Sequence, residues 1–68
     1  MDHTYKHIEI TGSSGESSDQ AVRNAIAKAA ETVQHIHWFE IVDQRGYVED
    51  DAVKFWQVTL KIGFRISD

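Results

Sequence analysis

The last part of the chain alternates between apolar and polar side chains. The apolar positions are Val58, Leu60, Ile62, Phe64 and Ile66, and the positions between them are Gln57, Thr59, Lys61, Gly63 and Arg65. Because successive side chains of a β-strand point to opposite faces, this period of two predicts a strand with one buried face. The remainder of the chain therefore has to supply a layer that covers this face.

A single amphipathic helix is predicted to supply that layer. Its apolar stripe has helical spacing and consists of Ala21, Val22, Ala25, Ile26, Ala29, Ala30 and Val33. Ser17 and Gln20 have the spacing of a capping box, and Asp19 adds negative charge to the first turn, where the helix dipole favours it. The helix is expected to end near Gln34 or His35, and its many alanines predict a close approach to the sheet.

Three strands are predicted around this helix. The first runs from Tyr5 to Thr11 and is followed by a loop at 12–15; the second runs from about Ile36 to Val48, and the third from about Ala52 to Ile66. The acidic stretch at 49–51 joins the last two strands as a hairpin. The pattern predicts an α+β fold of order β-α-β-β, in which one helix lies across one face of a three-stranded antiparallel sheet.

The length of the chain predicts one small domain that covers residues 1–68. At this size roughly 60% of the surface of the unfolded chain is buried on folding, so stability is expected to be marginal. The chain has no cysteine and therefore no disulfide, so oligomerisation is the expected source of additional stability. The lack of cysteine also fits a reducing cytoplasm, which is the expected location.

Charge and hydropathy argue against several classes of function. The formal net charge of −4 disfavours nucleic-acid binding through phosphate neutralisation. No apolar run approaches the ~20 residues that cross a bilayer, and the N-terminus lacks the apolar core of a signal peptide. The four histidines follow no metal-binding motif, so no metal site is predicted.

Trp38 opens the second strand and is expected to point away from the helix. Alternation places Phe39 and Ile41 on the face that the helix covers, and Trp38, Glu40 and Val42 on the other. The uncovered face is expected to carry a patch made of Tyr5, Trp38, Val42, Tyr47 and Phe55. A patch of this kind usually marks an interaction site, so either another subunit or a flat ligand is expected to cover the indole.

Trp38, Arg45 and Gln57 together offer groups that suit a planar heterocycle with a phosphate tail. An indole provides a π-face for offset stacking, a glutamine amide presents a donor beside an acceptor, and an arginine binds phosphate or carboxylate in bidentate fashion. By spacing alone, the same three residues also fit an interfacial tryptophan, a surface arginine and an edge-strand glutamine.

The sequence resembles the dodecins, a family of small flavin-binding proteins. The matching segments are Tyr5-Lys6, Glu9-Ile10-Thr11-Gly12-Ser13-Ser14, Ala29-Ala30-Glu31-Thr32, Trp38-Phe39-Glu40, Arg45-Gly46, Gln57-Val58-Thr59-Leu60-Lys61 and Gly63-Phe64. They extend over nearly the whole chain without gaps. The resemblance implies a sheet partly wrapped around one helix and a hollow homododecamer of such subunits.

The resemblance also implies roles for individual residues. Trp38 matches the tryptophan that stacks on flavin, two of which, from symmetry-related subunits, sandwich a pair of flavins. Gln57 matches the glutamine that bonds the polar edge of the isoalloxazine ring, and Arg45 matches a bacterial-type arginine near the ligand. Arg45 favours flavin mononucleotide (FMN) over riboflavin. Tyr47, where many bacterial members carry histidine, shares a strand face with Arg45 and is a further candidate for lining the site.

The function implied by the resemblance is storage, sequestration and photoprotective quenching of flavin, without enzymatic turnover. An electron-rich indole quenches an excited oxidised flavin by electron transfer and return. Coenzyme A is a possible additional ligand, with Arg23, Lys28 and Arg65 as contacts. The alternatives are a structural or interaction oligomer without a flavin role and an enzyme that uses the bound flavin.

Overall fold

The elements follow one another in the predicted order β-α-β-β. In the computed structural model, which describes residues 2–66, they are β1 (Tyr5–Ser14), α1 (Ser18–Ala29), β2 (Ile36–Glu49) and β3 (Ala52–Arg65). The sheet has the strand order β1-β3-β2, and both neighbouring pairs are antiparallel. The predicted α+β fold with one helix and a three-stranded antiparallel sheet is therefore confirmed. Within this described part of the chain, no helix is long and apolar enough to cross a bilayer.

The hairpin between β2 and β3 turns through two acidic residues. Asp50 and Asp51 have φ values of 54° and 63°, in the left-handed region. A two-residue hairpin turn of type I′ needs positive φ at both central positions, and aspartate is among the residues that tolerate it. The acidic turn predicted between the last two strands is confirmed.

The loop predicted directly after Thr11 is wrong, because β1 continues through Ser14. Gly12, Ser13 and Ser14 pair with Val58, Gln57 and Trp56 of β3. A Cβ atom at Gly12 would lie 2.7 Å from the Ala25 Cβ of the helix. The glycine thus marks a close approach of helix to strand rather than a turn, as a glycine within a strand can.

The helix begins as predicted and ends earlier. The Ser17 hydroxyl accepts a hydrogen bond from the Gln20 backbone N–H at 3.0 Å, which caps the first turn. The Gln20 side chain donates to Asn24 Oδ1 at 2.8 Å instead of returning to the cap. The helix ends at Ala29 and not near Gln34, since the following turn tightens and His35 takes a φ of 64° that directs the chain into β2.

The core lies between α1 and the central strand. It consists of Ala21, Ala25, Val58, Leu60 and Ile62, all buried. The alternation along β3 therefore predicted the face on which the helix packs. Alanines on the helix side of this interface allow the close approach that the sequence suggested.

The helix covers β1 and β3 but does not extend over β2. Phe39 and Ile41 pair with Ile62 and Leu60, so they lie on the helix side of the sheet, yet they remain 50% and 47% exposed. The prediction that the helix covers them is wrong. A helix of 12 residues is about 18 Å long, whereas a strand of 14 residues extends about 48 Å. β2 therefore presents apolar surface that the single chain does not bury.

Candidate functional site

The candidate site lies on the outer face of the sheet, which is the face opposite α1. Gly63 of β3 pairs with Trp38 on one side and with His7 on the other. A Cβ atom at Gly63 would overlap Cε2 and Cζ2 of the indole, so the ring lies over this glycine. The His7 ring is 6.2 Å from the indole, centroid to centroid, at an interplanar angle of 46°. The indole is thus held between backbone and His7 and is still 39% exposed.

A β-bulge brings Arg45 and Tyr47 to the same face as Trp38. Seven residues separate Trp38 from Arg45, and in a regular strand an odd separation places two side chains on opposite faces. Ile41 pairs with Leu60 and Asp43 with Thr59, so Val42 is an extra residue in β2. The bulge shifts the alternation by one, and Arg45 and Tyr47 then point to the outer face.

Arg45, Asp43, Gln57 and Tyr47 form a polar cluster on this face. The Arg45 guanidinium donates through Nη1 to Gln57 Oε1 at 2.6 Å and through Nη2 to Asp43 Oδ2 at 2.7 Å. The Tyr47 hydroxyl lies 3.5 Å from the same Gln57 oxygen. Because the guanidinium can only donate, the oxygen of the Gln57 amide is its acceptor, which leaves the N–H groups of the amide available as donors.

Aromatic contacts flank both parts of the site. Tyr47 stacks on Phe55, with ring centroids 4.5 Å apart and an interplanar angle of 18°. Tyr5 meets His37 edge-on at 5.6 Å. The stacking on Phe55 fixes the position of Tyr47 beside the polar cluster. Trp56, in contrast, pairs with Gly46 and Ser14 and lies half-buried on the helix side, as a packed aromatic.

A single chain does not bring the four predicted site residues together. Gln57 and Gly63, the partners of Arg45 and Trp38, are six residues apart along β3. At the rise of an antiparallel strand this separates the indole from the polar cluster by about 20 Å. Arg45, Gln57 and Tyr47 are therefore neighbours, whereas Trp38 is remote from all three.

Three residues of the site were not predicted to be part of it. Gly63 carried a recognisable signal, since a glycine inside an alternating strand often marks a close approach of another group. His7 meets Trp38 only through the register of β1 on β3, which sequence does not reveal. Asp43 joins the site through its ion pair with Arg45, and no motif in the sequence links the two residues.

Comparisons with known proteins agree with this fold. The dodecin family profile matches residues 4–67. The chain is 38% identical over 68 residues to the dodecin of Thermus thermophilus, covering 100% of this chain and 99% of that protein. The structure of the dodecin from Streptomyces davaonensis matches with a TM-score of 0.94 at 44% identity, with 100% of both chains covered. The fold is thus that of a small flattened α+β subunit of the dodecin kind. The chain belongs to the dodecin family.

A more distant relative has a calcium site. The calcium-chelating dodecin of Mycobacterium tuberculosis, which has a calcium-binding site, is 26% identical to this chain, with a TM-score of 0.81 over 94% of this chain and 91% of the other. In this protein, residues 2–66 contain no group of three or more His, Cys, Asp or Glu side chains arranged to hold a metal ion.

Proposed function

We propose that this dodecin binds FMN or riboflavin and stores it in a sequestered, photochemically quenched form. The observation that carries the proposal is the position of Trp38. Its indole lies over Gly63 on the sheet face that α1 leaves uncovered, and the residue is 39% exposed. An aromatic ring supported from beneath and open above is suited to stack on another planar ring.

The polar cluster fits the other parts of a flavin. The N–H groups of Gln57, whose oxygen is bound by Arg45, suit the carbonyl edge of an isoalloxazine ring, which accepts hydrogen bonds. A guanidinium has five N–H donors, and Arg45 uses two of them within the cluster. The remaining donors are available to a phosphate group, which favours FMN over riboflavin. Tyr47 adds a hydroxyl at the same place.

The separation of Trp38 from this cluster supports a site shared between subunits. With about 20 Å between them, the indole and the amide that contact one flavin come from different chains. Two Trp38 indoles from symmetry-related subunits would enclose a pair of flavins. The apolar surface of β2 at Phe39, Ile41 and Val42 supports the same assembly, because it lacks a covering layer within the chain. The proposed assembly is a hollow homododecamer.

Quenching follows from the stack. When bound, the flavin supplies an electron-poor ring with an excited state in the visible range. Trp38 would supply the electron-rich partner, which would donate an electron to the excited ring and recover it, so the light energy would be released as heat without net chemistry. The indole of Trp38 would exclude water from the face of the ring that it covers. Storage therefore needs no general acid, general base or nucleophile from this chain.

Coenzyme A is a proposed additional ligand. Of the three basic residues suggested for it, Arg23 pairs with Asp19 at 3.0 Å and Lys28 with Glu31 at 3.4 Å, both on the exposed side of α1. Exposed ion pairs of this kind are weak, so a phosphate-bearing ligand can replace them. Titration with coenzyme A therefore belongs in the same series of measurements.

The proposal is tested by titrating flavin fluorescence with the purified protein while sizing the same sample. FMN and riboflavin are compared at equal concentrations, and binding of coenzyme A, which lacks flavin fluorescence, is measured by calorimetry. Saturable quenching by the assembled oligomer is expected for both flavins, with FMN bound more tightly. Failure to bind either flavin at micromolar concentration supports an oligomer with a structural or interaction role instead. Steady NADPH-dependent turnover by the flavin-loaded protein supports an enzyme.

A further inference from the structure

We propose that Gly63 is a positioning residue for Trp38. Because Gly63 has no side chain, the indole can pack directly on the backbone of β3, at the distance from the sheet that stacking on flavin requires. This inference rests on the proposed function, since it concerns the geometry of the stacking ring. It assigns the glycine a role in ligand binding instead of one in chain folding.

The backbone offers no other reason for a glycine at this position. Gly63 lies within β3, paired on both sides, and no glycine among the described residues has positive φ. A glycine in the interior of a paired strand weakens that strand, because it adds chain entropy and packs no side chain. Alanine would be compatible with the backbone here. A side chain at position 63 is therefore excluded by the group that packs over the residue and not by the backbone conformation.

What lies over Gly63 is the indole. The Cβ of an alanine would overlap ring atoms Cε2 and Cζ2 of Trp38. No other described glycine meets an aromatic ring so closely: at Gly46 the nearest atoms are 3.8 Å away, at Gly15 there are none within 4 Å, and at Gly12 the neighbours belong to α1. The conflict at Gly63 is thus specific to the tryptophan.

The indole has little freedom to avoid an added methyl group by moving across the sheet from Gly63 towards β1. His7 stands on the far side of Gly63, with its ring centroid 6.2 Å from that of the indole. A methyl group at 63 is expected to lift or rotate the ring away from the sheet. In a stack held between two indoles, a displacement on each side alters the space available to the flavins. Because dispersion contacts fall steeply with distance, flavin affinity should fall.

The test compares Gly63→Ala with Gly46→Ala, which adds the same methyl group to β2 where only ordinary contacts await it. Both are measured by flavin-fluorescence titration with FMN, by sizing and by thermal unfolding. Gly63→Ala is expected to weaken FMN binding by about tenfold or more, and Gly46→Ala to remain within about twofold of the wild type. Unchanged FMN affinity in an assembled Gly63→Ala protein overturns the inference.

A second pair of variants covers the case in which Gly63→Ala fails to fold. Trp38→Ala removes the ring atoms that the methyl group would meet, so Gly63→Ala should be tolerated in the Trp38→Ala background. If the double variant also fails to fold, Gly63 serves something other than the indole and the inference is wrong. Absence of flavin binding by the wild type refutes the proposed function but does not decide whether Gly63 positions the indole. In that case the Trp38 emission of a Trp56→Phe protein, with and without Gly63→Ala, still shows whether the glycine seats the ring; unchanged emission contradicts it.

Discussion

Arg45 and Gln57 face each other across the long hairpin, with Arg45 Nη1 donating to Gln57 Oε1 at 2.6 Å. This bond decides which half of the amide a ligand meets. The oxygen accepts from the guanidinium, so the N–H groups are the part of the amide left to donate to a ligand. Gln57 is therefore expected to act as a donor to a carbonyl of the flavin.

Gln57→Glu tests the direction of that hydrogen bond. A glutamate keeps the length of the side chain and pairs with Arg45 through its charge, so folding and assembly should be retained. It has no N–H group to donate and is expected to weaken flavin binding by about tenfold or more. Flavin titration together with a thermal scan separates the two effects. Wild-type affinity in Gln57→Glu would show that the N–H groups of the amide do not contact the ligand.

Arg45→Ala tests recognition of the phosphate. If the free donors of Arg45 bind the FMN phosphate, the loss should reduce FMN affinity by about tenfold and riboflavin affinity much less, because charge-assisted bonds contribute about 1.5–3 kcal/mol. The ratio of the two dissociation constants is the quantity to measure. Arg23→Ala is the matched control, since this exposed arginine lies on α1 and pairs with Asp19. Equal losses for both flavins would assign Arg45 to orienting Gln57 alone.

Phe39→Asp tests whether the uncovered part of β2 is buried between subunits. In the isolated chain Phe39 is half-exposed, so a charge there costs little. In an assembly that buries this surface, an unpaired carboxylate is strongly unfavourable. Light scattering after size exclusion should show smaller species for Phe39→Asp. Gln34→Asp, an equal change of charge at an exposed residue outside the strands, should leave the size unchanged. An intact oligomer in Phe39→Asp would show that this part of β2 is not buried between subunits.

Ser17→Ala tests the helix cap. The Ser17 hydroxyl satisfies the Gln20 backbone N–H at 3.0 Å, and loss of such a cap typically costs about 1 kcal/mol. The variant is expected to unfold at a lower temperature than the wild type, without a change in flavin affinity. Ser18→Ala, one residue into the helix, is the control and should change the midpoint less. Equal midpoints for the two variants would contradict the capping role.

Local patterns in the sequence predicted the parts of this fold that depend on neighbouring residues. The alternation that contains Val58, Leu60 and Ile62 identified the buried face of β3, and Ser17 identified the start of the helix. Both signals arise from a few consecutive residues and need no knowledge of the partner strand. The loop predicted to begin at Gly12 was wrong, because this glycine is explained by the close approach of the helix and not by a turn.

The arrangement of the site depends on strand register, which sequence does not reveal. Strict alternation would have placed Arg45 on the face opposite Trp38, and only the extra residue Val42 brings the two to one face. The same register separates them by about 20 Å, so a flavin site built from both requires more than one chain. The resemblance to dodecins supplied residue roles but not this distance.

Trp38 is proposed to be the stacking surface for flavin, and the most direct test is whether Trp38→Ala still quenches FMN fluorescence. Trp56→Phe, which changes the half-buried tryptophan on the helix side, is the control. The wild type and Trp56→Phe are expected to quench FMN in a saturable manner, with as many flavins bound as there are chains. Trp38→Ala is expected to assemble but to lose both affinity and quenching. Wild-type affinity and quenching in assembled Trp38→Ala would contradict the proposed function.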